Sequence, residues 1–113
     1  MKFTVSSAEL LKKLQLVSGA IGNNPVLPIL EDFLFTITGP KLTITASDLD
    51  ISINTSLEIS ADKDGEVAIP ARILLDTLKG LPEQPVTFQV DPDNFSVEIT
   101  SIFGKYKLAG END

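Results

Sequence analysis

Chemistry at neutral pH needs nucleophiles, bases or metal ligands, and this chain has few of them. It contains no cysteine and no histidine, so no Cys–His pair, no Ser–His–Asp triad and no thiolate or imidazole metal site can be built from it. Asp48 and Asp50 stand two residues apart, where two carboxylates share one side of a strand or one turn. That spacing suits acid–base work or a divalent cation, but no third ligand or base accompanies them, so a turn or strand mouth is the plainer reading. Asp62-Lys63-Asp64-Gly65-Glu66 starts like a calcium loop and lacks the further ligands and the distal glutamate; it reads as a hairpin turn. Gly19 and Gly22 have no following Lys-Ser/Thr, so there is no phosphate loop. Ser6, Ser7 and Ser18 have no base at useful spacing. The expectation is a protein without catalysis, cofactor or metal.

The elements that must position any site are easier to read. The chain has 113 residues, 42% hydrophobic and 22% charged, which suits a single globular domain. Its N-terminus lacks the apolar stretch of a signal peptide and no run is long enough to span a membrane, so a cytoplasmic protein with no membrane partner is expected. Lys2–Val5 is a short β-prone run. Ser6 with Glu9 three residues on is a capping box. Leu10, Leu14, Val17 and Ile21 then form one helical stripe, ended by Gly22-Asn23-Asn24-Pro25. From Glu31 the period becomes two: Phe33–Ile37, Leu42–Ile44 and a long run from Ile51 to Ile59 read as strands, with Gly39-Pro40 and Asp62–Gly65 as turns. Val67–Ile69 is another strand. Pro70 opens a second helix with the stripe Leu74, Leu78 and Leu81, and Gly80 is its stop. Val86–Val90, Phe95–Ser101 and Lys105–Ala109 complete the series.

The order is β-α-β-β-β twice. A shift of 64 residues lays Phe3 on Val67, Val5 on Ile69, Leu10 on Leu74, Leu11 on Leu75 and Leu14 on Leu78. Two repeats are too few for a solenoid, so an α+β domain with pseudo-twofold symmetry and two adjacent helices on antiparallel sheets is expected.

Charge is segregated along this frame. The formal net charge is −7, which as an average argues against a nucleic-acid binder. By position, however, Lys12 lies opposite the first leucine stripe, flanked by Lys13 and Gln15, and Arg72, Asp76 and Lys79 lie opposite Leu74 and Leu78. Most acids lie in strands and turns. Ordinary solvated helix faces would show the same few cations, and a structural or adhesion-type α+β module without DNA remains the alternative reading.

MKFTV, ELLKKLQLVSGAIG, NNPVLPIL, SDLDISI and IPARILLDTLKGLP together resemble the first domain of the bacterial DNA polymerase III β subunit family, the sliding clamps, across essentially all 113 residues. The resemblance implies the DNA-clamp fold and a chain, 1–113, that corresponds to the first of three domains. It implies a homodimeric ring whose helices face duplex DNA and which serves the replicative polymerase and the clamp loader. Carried over residue by residue, Arg72 matches a DNA-contacting arginine. Asn24 stands where some clamps carry an arginine. Lys12, Gln15 and Lys79 are further candidates for that surface. Ring closure by an edge of the domain makes Phe103, Lys105, Tyr106, Lys107 and Leu108, with Leu74 and Leu78, candidate subunit-interface positions. The pocket for polymerase peptides lies in later domains of the family.

Overall fold

The computed structural model describes residues 1–21, 32–47, 52–91 and 93–109. The elements are β1 (Lys2–Ser6), α1 (Ser7–Ile21), β2 (Asp32–Thr38), β3 (Lys41–Ser47), β4 (Ser52–Glu58), β5 (Ser60–Ala61), β6 (Gly65–Pro70), α2 (Ala71–Lys79), β7 (Pro85–Val90), β8 (Ser96–Ser101) and β9 (Gly104–Ala109). The Ser6 hydroxyl accepts the Glu9 N–H at 3.4 Å, as the capping pattern requires. Gly80 does stop α2, but at φ −80° it stays right-handed, so the stop does not use glycine's left-handed freedom. Pro82, two residues beyond it, cannot continue the helix.

All strand pairs are antiparallel, in two sheets ordered β5-β1-β7-β8-β9 and β4-β3-β2-β6. The pseudo-twofold order is visible in them, with an exchange that periodicity did not reveal. Each half lends its first strand to the other half's sheet: β1 pairs with β7, and β6 pairs with β2. The repeat also holds in burial. Phe3, Val5, Leu10 and Leu14 are buried like their partners Val67, Ile69, Leu74 and Leu78, and Leu11 and Leu75 are both half-buried.

One turn assignment is corrected. Asp62–Gly65 does not close a hairpin, because the strands on either side of it do not pair with each other. The chain leaves β4 at Ile59, whose N–H goes to the Pro40 carbonyl at 2.8 Å, and Ser60–Ala61 joins β1 in the other sheet. The acids of the turn hold this crossover. Asp62 accepts the Lys2 N–H at 2.9 Å, and Asp64 accepts the Gly39 N–H at 2.7 Å. The Lys2 N–H bond holds the Asp62 carboxyl below its ordinary pKa.

The core joins the two sheets. Phe3 and Phe88, opposite each other on β1 and β7, stack at 4.8 Å, and Phe35 of the other sheet tilts against both at 6.2 and 6.0 Å. Helix α1 lies on β3 and β4, α2 touches β2, β6 and β9, and the helices contact each other. Among the described residues no helix is long and apolar enough to cross a membrane.

Candidate nucleic-acid interface

Each helix commits its apolar stripe to the core and turns its polar side outward. On α1, Leu10, Leu14 and Val17 are buried while Lys12 and Gln15 are exposed. Lys12, Lys13 and Gln15 border a groove of about 560 Å³ with Glu9, Leu16 and, from β4, Ser56 and Leu57. On α2, Leu74 and Leu78 are buried while Arg72 and Lys79 are exposed. Seven residues at 3.6 per turn place Arg72 and Lys79 within about 20° of one another around the axis and about 10 Å apart along it. Asp76 lies between them and is exposed.

Among the described residues, the one ion pair is Lys105–Glu98 at 3.7 Å. Among the described residues, Lys12, Arg72 and Lys79 thus form no ion pair within 4 Å, although Asp76 lies one helical turn from both cations of α2. Exposed cations on two touching helices can attract phosphate oxygens without reading bases. Among the described residues, no group of three or more acidic side chains is gathered as a metal site. Asn24, Asp48 and Asp50 lie outside the described residues.

The expected subunit-interface positions divide. Among the described residues β9 is the last strand of its sheet, with β6 and α2 in contact with it, and an edge strand can pair with another chain. Phe103, Lys105 and Lys107 are exposed, and Tyr106 is half-buried. Leu74 (0% exposed), Leu78 (1%) and Leu108 (8%) instead face inward. The stripe that builds α2 onto the core commits Leu74 and Leu78 to this chain's own interior, and Leu108 of β9 is buried as well. What α2 does expose is Ile73, 51% accessible and one residue off the stripe. Leu16 on α1 is similarly off the stripe and exposed. Both departures are visible in the helical pattern. The buried polar junction around Gln84, described below, has no comparable local signal.

The model of the DNA polymerase III beta subunit N-terminal domain matches residues 1–110. The chain is 36% identical over 111 residues to the beta sliding clamp of Vibrio harveyi, covering 96% of this chain and 75% of that one. It is 35% identical to the beta sliding clamp of Vibrio cholerae, covering 96% of this chain but 30% of the relative. The structure superposes on the DNA polymerase III subunit beta from Pseudomonas aeruginosa with a TM-score of 0.84 at 29% identity, over 99% of this chain and 30% of that one. Against the DNA polymerase sliding clamp from Bacillus subtilis the TM-score is 0.85 at 25% identity, over 99% and 31%. The two helices on two antiparallel sheets are thus the fold of the sliding-clamp domain, and the chain belongs to the DNA polymerase III beta subunit family, N-terminal domain.

Proposed function

We propose that this chain acts as the first domain of a sliding clamp, a cytoplasmic processivity factor that encircles duplex DNA as part of a homodimeric ring and performs no catalysis. The family match over residues 1–110 carries this reading. The spans of about 30% in the Vibrio cholerae relative and in the solved clamps support a role within a longer, three-domain chain. In that setting the clamp loader places the ring on DNA and the replicative polymerase is tethered to it.

The mechanism follows from what sliding demands. Base contacts would fix the ring at one sequence, so contacts must be few, directed to phosphate and sensitive to salt. Lys12, Arg72 and Lys79 supply charge on rigid helices, Gln15 supplies an amide beside them, and Asn24 is carried as a further contact. Exposed acids at Asp62, Asp64, Glu66, Asp91 and Asp93 lie on turns and sheets and disfavour DNA on those surfaces. Retention then comes from enclosure, not from affinity. Phe103, Lys105, Tyr106 and Lys107 at the β9 edge are the proposed ring-closing positions on this domain.

The test is single-encounter primer extension with the clamp carrying this domain, its loader and its polymerase. Products should lengthen many-fold when the clamp is loaded. Equal product lengths with and without it would overturn the reading.

A further inference from the structure

The β8–β9 hairpin turns through an apolar tip. Ser101 pairs with Gly104, leaving Ile102 and Phe103 as a two-residue loop. Such loops favour Asn, Asp or Gly at the central positions, with positive φ. Here they hold a β-branched and an aromatic residue, neither with positive φ, and the unusual conformation falls on Gly104 at φ +142°. Both side chains are nevertheless outside, Ile102 77% and Phe103 62% exposed. Because both central residues keep negative φ, the turn accepts these side chains, but the core gains nothing from two large apolar groups left in solvent.

The tip is held from elsewhere in the molecule. The Ile102 N–H donates to Gln84 Oε1 at 2.8 Å. Within the tip, Phe103 N–H reaches Ser101 Oγ at 3.1 Å, and that hydroxyl donates to the Gly104 carbonyl at 3.3 Å. Gln84 is only 6% exposed, and its carboxamide cannot turn freely, because Nε2–H donates to the Pro82 carbonyl at 3.1 Å. Its backbone is fixed to the start of α1: Ser7 N–H donates to Gln84 O at 2.8 Å, and Gln84 N–H donates to Ser7 Oγ at 3.1 Å. The Ser7 hydroxyl in turn donates to Pro82 O at 3.2 Å. A buried amide is costly unless every group is bonded, and this one is bonded at both ends.

We propose that Gln84 is a positioning residue that holds the Ile102–Phe103 tip, and with it the start of the β9 edge, in the form that the second copy of the ring meets. The ring part of this statement rests on the sliding-clamp reading. The occupant follows from continuity, since Phe103 leads directly into β9, the edge strand proposed for ring closure.

Amide hydrogen exchange in this chain tests the tether without assuming a ring. In the unmodified chain the Ile102 amide, although in an exposed turn, should exchange at least about tenfold more slowly than an unstructured amide. Gln84→Met keeps the volume and removes both polar atoms. It should speed Ile102 exchange at least about tenfold while Phe88 and Ile99 stay slow. An unprotected Ile102 in the unmodified chain, no change in Q84M, or a uniform rise across all strands would each overturn the proposal. In the full-length ring, Q84M should speed subunit dissociation several-fold with duplex binding by the helices unchanged; unchanged dissociation would overturn the ring part. A full-length protein that forms no ring would refute the clamp reading, while the exchange data would still judge Gln84.

Discussion

Replacing Arg72 by alanine separates phosphate contact from every other role of α2. Arg72 is exposed, has no ion-pair partner among the described residues and lies outside the core, so its loss should leave the unfolding midpoint nearly unchanged. Its effect should appear in the salt dependence of duplex binding. Each phosphate neutralised contributes a slope of about −0.9 in log K against log salt, so Lys12, Arg72 and Lys79 together give about −2.7. Raising salt from about 50 to about 200 mM then weakens binding about 40-fold. In R72A the slope falls to about −1.8 and the same salt step costs about 12-fold. Fluorescence anisotropy with a labelled duplex at four salt concentrations reads both slopes. Lysine at position 72 should restore the slope, and two unrelated duplex sequences should behave alike. A slope unchanged in R72A, or a preference between sequences, would refute the assignment of Arg72 to phosphate.

Leu74→Ala removes a fully buried side chain beneath α2 and should cost about 2–5 kcal/mol in urea unfolding, whereas Ile73→Ser should cost less than about 1 kcal/mol. The Asp62 pKa is lowered in the folded chain, so its contribution is present above the unfolded value of about 3.9 and is lost as pH falls through the lower folded value. The stability gap between the unmodified chain and Asp62→Asn should therefore close below about pH 4; a gap that widens in acid would contradict the Lys2–Asp62 bond. Residues 1–63 and 64–113, produced as separate chains, should co-purify, because β1 completes the sheet of β7–β9 and β6 completes that of β2–β4. Halves that fold independently and do not associate would contradict the exchange of first strands.

The helices, most strand limits and the repeat were legible in the sequence because they rest on local periodicity and capping. Ser6 with Glu9, and Leu10, Leu14, Leu74 and Leu78 on two stripes, needed no knowledge of the partner sheet. The exchange of β1 and β6 was not legible, since pairing joins residues as distant as Phe3 and Phe88 and alternation does not name a strand's neighbour. The Asp62–Gly65 turn misled for the same reason: its composition signals a reversal, but whether the flanking strands pair is decided by Ile59 and by the bonds from Asp62 and Asp64. At the candidate site, the exposed cations followed from their angle to the stripe. Leu74 and Leu78 were read both as core stripe and as interface positions, and the structure places them in the core. Gln84 was invisible because its partners, Ser7, Pro82 and Ile102, are spread along the chain.

Retention on circular against linear duplex is the most direct test of enclosure. The full-length protein carrying this domain is loaded on a nicked circular plasmid, washed in high salt, and followed after the plasmid is cut once. The account predicts that the ring survives the wash on the circle and leaves soon after cutting. Loss from the intact circle in high salt, or equal retention after cutting, would contradict it.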